Sequence, residues 1–108
     1  MSKRLKAQQH FLHLLAHSKL QRRKHLLKLA TKEELASLFE ICLNILKGRL
    51  ELNDHNYKTL QRHKHLIRTL GNKKVPLKHK KKLVNQKGGF LGTLAAIALP
   101  LLGQLLTR

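Results

Sequence analysis

All five carboxylates of this chain fall between residues 31 and 60: Glu33, Glu34, Glu40, Glu51 and Asp54. Residues 1–30 carry eight Lys and Arg and no acid, and residues 61–90 carry ten and no acid. The formal net charge is +18 over 108 residues. Cations segregated in this way oppose compaction by self-repulsion, unless an apolar core outweighs them or a polyanion neutralises them. Nucleic acid, an anionic membrane and an acidic protein are the candidate polyanions. Nucleic acid comes first, because its phosphates form the densest line of charge.

The apolar mass that could offset the repulsion is mostly leucine, and the aromatics are only Phe11, Phe39, Tyr57 and Phe90. Leucine with lysine and few β-branched residues is a helix-forming mixture. The expected fold class is all-α: a small bundle of short helices with a basic extension and a separate C-terminal apolar helix. Four segments follow. Residues 1–18 form a basic helical extension, residues 19–72 the bundle, residues 73–89 a Lys-rich stretch ending in Gly-Gly, and residues 90–108 an apolar tail. Without the tail about 90 residues remain, enough for one modest core.

Local signals place the helices. Residues 4–30 read as one long basic helix or two, broken near Ser18. Thr31 followed by Glu34 is a capping box. The helix it opens carries Leu35, Leu38, Phe39, Cys42, Ile45 and Leu46 at helical spacing, and Gly48 stands where a C-terminal glycine would end it. Asn53 or Asp54 caps a further helix with Tyr57, Leu60, Ile67 and Leu70 along one stripe, closed by Gly71-Asn72. Pro76 can begin a short basic helix from Leu77 to Val84. The predicted seam runs through Leu38, Phe39, Ile45, Leu60 and Ile67.

The candidate nucleic-acid ligands are the cations of these segments. Lys73, Lys74, Lys78, Lys80, Lys81, Lys82 and Lys87 form the densest cluster. Arg62, Lys64 and Arg68 lie on the polar side of the preceding helix, and Arg22, Arg23, Lys24 and Lys28 on an earlier one. Lysine ammonium groups are point charges suited to phosphate oxygens. With no stacking aromatics or zinc-finger spacing among them, they would read backbone charge and shape rather than base sequence. His10, His13 and His17 share a helical face but have no neighbouring carboxylate or cysteine. They are expected to add charge at mildly acidic pH rather than to hold a metal, as are His63, His65 and His79. The basic runs would also suit nuclear import.

From Phe90 to Leu106 there are 17 residues without charge, at the lower end of the about 17–25 needed to span a bilayer. Pro100 and Gln104 interrupt the run. Phe90, Leu91, Leu94, Ile97, Leu99, Leu101, Leu102, Leu105 and Leu106 are the candidate contacts, with a membrane, a capsid protein or a second copy of the chain. Packing on the bundle is the alternative. A lone cysteine, Cys42, excludes an intrachain disulfide and reads as a buried thiol. There is no Ser/His/Asp arrangement, phosphate-cradling glycine loop or metal-ligand spacing. No enzymatic activity and no cofactor are expected.

The run Lys78-His79-Lys80-Lys81-Lys82-Leu83-Val84-Asn85-Gln86-Lys87-Gly88-Gly89-Phe90-Leu91, continuing into a Leu/Ala-rich tail, resembles the precursors of the adenovirus mu core peptide over residues 78–106. The chain also looks like small basic proteins of adintoviruses and Maverick/Polinton elements. These share a Leu-Lys-Gly step, here Leu46-Lys47-Gly48, and a Gln-Lys-Gly-Gly-Phe-Leu junction, here Gln86 to Leu91. The resemblance implies a genome-condensing virion core protein that binds double-stranded DNA in the virion and host nucleus. It also implies a possible viral protease junction at Gly88-Gly89, although Gln86 stands where that protease favours Met, Ile or Leu. The alternative reading is a membrane-active or tail-anchored viral protein that uses residues 90–106.

Overall fold

The computed structural model describes residues 3–103. They fold into eight helices: α1 (Lys3–Ala7), α2 (Gln9–His17), α3 (Leu20–Lys28), α4 (Lys32–Leu46), α5 (Asp54–Gln61), α6 (Lys64–Gly71), α7 (Leu77–Gln86) and α8 (Gly88–Ala98), with a 3-10 turn at Leu99–Leu101. No strand occurs among the described residues. The all-α expectation holds.

The predicted capping signals are in place. Thr31 Oγ1 accepts from the Glu34 N–H at 3.1 Å, and the Glu34 carboxylate accepts from the Thr31 N–H at 2.8 Å. Two of the orphan donors at the start of α4 are thereby satisfied. At its other end Gly48 takes φ +67°. Its N–H reaches the Ile45 carbonyl and the Arg49 N–H the Asn44 carbonyl, the two bonds of a Schellman motif. Asn53 Oδ1 accepts from the Asn56 N–H and opens α5. The chain breaks at Ser18, as the sequence suggests, and once more at Gln8.

Two departures are instructive. The helix expected from Asn53 to Leu70 is broken at His63 into α5 and α6. The His63 ring stacks on Phe90 with centroids 4.1 Å apart, a contact that local periodicity cannot reveal. The second departure is the tail. α8 is not a separate helix but sits inside the bundle, packed mainly on α2 and α3, with α4 and α7 also against it. Leu91, Leu94 and Ala95 have no exposed surface, and Phe90, Ile97 and Leu102 are buried. Leu99 and Leu101 are partly buried against the same core, while Leu105 and Leu106 lie outside the described residues. A helix apolar on nearly every side must be covered on nearly every side, and here α2, α3 and α4 do it. Among the described residues no helix is long and apolar enough to cross a membrane.

One buried cluster runs from Leu5 through Phe11, Leu12 and Leu15, then Leu35, Leu38, Ile41 and Cys42, to Ile67, Leu70, Val84 and the α8 residues. All four sequence segments therefore feed a common core. Of the predicted seam, Leu38, Leu60 and Ile67 are buried, whereas Phe39 and Ile45 are partly buried at its edge.

Candidate nucleic-acid interface

α7 packs against both α3 and α6, so three neighbouring helices carry no carboxylate between them. On α3, Arg22, Lys24 and Lys28 are exposed; on α6, Lys64 and Arg68; on α7, Lys78, Lys81 and Lys82. Arg62 ends α5 beside α6, and Lys73, Lys74 and Lys87 flank α7, all exposed. Among the described residues, no Lys or Arg of these three helices pairs with a carboxylate. The acids stand elsewhere. Glu33 and Glu40 on α4 both meet Arg4 of α1, at 3.3 and 3.7 Å.

The fold withdraws two residues from the predicted set. Arg23 is half-buried, and each of its three guanidinium nitrogens donates to a backbone carbonyl. Nε donates to the Leu15 carbonyl at 3.1 Å, Nη2 to the Ala16 carbonyl at 3.0 Å and Nη1 to the Gly89 carbonyl at 3.0 Å. Leu15 and Ala16 belong to the last turn of α2, whose carbonyls have no partner within the helix. A cation there also meets the negative end of the helix dipole. Ser18 Oγ donates to the Leu14 carbonyl of the same turn. Arg23 therefore clamps α2, α3 and α8 together. The signal for this role was its place a few residues past the end of a helix.

Lys80 is the second. It is only 7 % exposed, and its Nζ lies 4.8 Å from the centroid of the Phe39 ring. Burial lowers its pKa from the usual 10.5, and the nearby Cys42 partly offsets that effect. The Cys42 thiol is itself buried and pushed up to about 12.

Gly88 and Gly89 are not an exposed linker. They form the first turn of α8, Gly88 buried and Gly89 half-buried. A Cβ on Gly88 would come 3.1 Å from Lys24 Cγ, and one on Gly89 3.2 Å from Leu20 Cδ1. The glycine pair lets α8 approach α3 closely, which buries the junction that a protease would need extended and accessible.

His65 and His79 are exposed on α6 and α7, and His25, which no sequence spacing singles out, is exposed on α3. His13 and His17 of α2 touch, their ring centroids 4.3 Å apart. No protein-family model, curated protein or solved structure matches this chain.

Proposed function

We propose that this chain is a sequence-nonspecific nucleic-acid-binding protein that condenses double-stranded DNA, of the kind found in viral cores. The observation that carries this reading is the adjacency of α3, α7 and α6, three helices rich in exposed cations and free of acids. A surface of that kind concentrates phosphate and repels carboxylate surfaces. Binding by lysine and arginine releases counterions from the duplex, so affinity must fall steeply with salt. The scarcity of exposed aromatics, with only Tyr57 open among the large ones, supports backbone contact over base stacking.

The test is fluorescence anisotropy with a labelled duplex of arbitrary sequence at 50 and 200 mM salt. Six to ten phosphate contacts give a loss of about 10³–10⁵ in affinity between those conditions. A second duplex of unrelated sequence should bind equally well. A flat salt response would reject the reading.

A further inference from the structure

A cleft of about 370 Å³ opens between α1, α4, the end of α6 and the segment leading into α7. Its apolar lining comes from Phe39, Leu43, Leu70, Val75 and Leu77. Arg4, Lys32, Lys73 and Lys80 stand around it with one carboxylate, Glu40, which Arg4 already meets at 3.7 Å. Its size falls within the roughly 300–1,000 Å³ of small-molecule sites. A duplex cannot enter such a space.

Lys80 sets this cleft apart from a general basic surface. Lys80 is buried, lines the cleft, and among the described residues pairs with no carboxylate. The Phe39 ring lies against its ammonium group, 4.8 Å from Nζ to the centroid. A lysine of which only 7 % is exposed, with no described anion beside it, lacks the partner that buried charges normally have. An anion in the cleft would supply it, and the leucine and valine lining would take a hydrocarbon body beside it. We propose that the cleft binds a small anionic amphiphile, an aliphatic body ending in a single carboxylate, with Lys80 as the fixed cation and the exposed Lys32 and Lys73 at the rim. This site does not rest on the nucleic-acid reading, because Lys80 is withdrawn from that surface.

The experiment titrates decanoate, below its micellar concentration, into the full chain and follows the methyl groups by NMR. The expected result is saturable one-to-one binding. Shifts should gather at Leu43, Leu70, Val75 and Leu77 rather than at Leu26 and Leu29 of α3 and its C-terminal end. Decanol, which lacks the charge, should bind at least about tenfold more weakly, the scale of one charge-assisted hydrogen bond. Lys80→Met keeps the stem and removes the charge, and should weaken decanoate by a similar factor. Lys28→Met, exposed on α3, should leave it unchanged. Non-saturating binding, shifts spread over the whole surface, or equal effects of Lys80→Met and Lys28→Met would overturn the proposal. Should Lys80→Met not fold, the decanoate and decanol affinities of the parent chain decide: equal values reject it.

Discussion

The guanidinium of Arg23 fills the space that a side chain at position 92 would need: a Cβ built on Gly92 would overlap Nε, Cδ and Cζ of Arg23. The arginine cannot simply swing aside, because three carbonyls hold it. Gly92→Ala is therefore expected to destabilise the fold by about 1–3 kcal/mol, the range of overpacked cores. Arg23→Met should also destabilise, by leaving the α2 carbonyls unpaired. In the double variant the methionine, no longer held by the three carbonyls, can turn away from the new Cβ, so the combined destabilisation should fall short of the sum of the two. Thermal or urea unfolding of the four proteins measures the coupling. Strict additivity would mean that the two residues do not share the space.

Gly48 presents the opposite case, since a Cβ there would meet nothing within 4 Å, yet the backbone sits at φ +67°. Its constraint is conformational and not steric. Gly48→Ala should cost about 1 kcal/mol, and Gly48→Asn clearly less, because asparagine tolerates the left-handed region. At this chain length about 1 kcal/mol corresponds to a melting shift of roughly 4–8 °C. Equal shifts for the two variants would contradict this account.

What the sequence revealed, and what it hid, divides along the same line. The Thr31–Glu34 box, the Gly48 stop and the Asn53 cap are contacts within a few residues, and each is legible from spacing alone. The His63 ring stacks on Phe90 and one arm of Arg23 reaches Gly89, both distant in the chain. Exposed cations such as Lys78, Lys81 and Lys82 were readable as a polar helix face, whereas burial of Lys80 on the same helix was not, because its neighbour Phe39 comes from α4. The tail misled for a physical reason. Uniform apolarity states that a helix must be covered, and leaves open whether lipid or protein covers it.

Removing residues 88–108 should abolish the fold rather than release a stable bundle. The deletion strips Leu91, Leu94 and Ile97 from the core at once, and each large buried side chain is worth about 2–5 kcal/mol. Their sum reaches the whole stability of a typical domain, about 5–15 kcal/mol. Circular dichroism and proton NMR dispersion of the truncated chain would show it. A cooperatively melting truncation product would show instead that α8 is an accessory.

Lys80→Met should stabilise the protein most at pH values below the lowered pKa of Lys80. Burial lowers the pKa of Lys80 below 10.5, so the folded state holds the proton less tightly than the unfolded state does. Its cost is therefore fully present below the depressed folded value and disappears as pH rises from there to 10.5. Methionine never carries that cost, so its advantage over the parent should shrink across this window. Cys42 acts in the opposite sense. Its thiol, raised from 9.0 to about 12, favours the folded state below pH 9 and gives up that contribution between the two values. It is present in both proteins, so urea unfolding of the pair across pH compares the lysine with its replacement. An advantage that grows with pH would refute the assignment.

On duplex DNA, exposed and buried lysines of the same helix should separate. Lys81→Gln should lower the slope of log affinity against log salt by about 1, as expected when one fewer phosphate is neutralised. Lys80→Met should leave that slope unchanged. Anisotropy titrations over a salt series read both, and an equal effect from the two substitutions would contradict the placement of Lys80.

The central position of α8 also orders events in time. A ribosome finishes α2 and α3 long before it reaches α8, so Leu12, Leu15 and Leu27 emerge without the surface that later covers them. Nascent chain of this kind holds uncovered leucine beside unneutralised lysine, with closure dependent on a contact far along the polypeptide. Pairings so distant in sequence slow collapse to the native state. The interval before closure is when a chaperone would find most to bind, and when premature encounter with RNA would do most to trap an unfinished molecule.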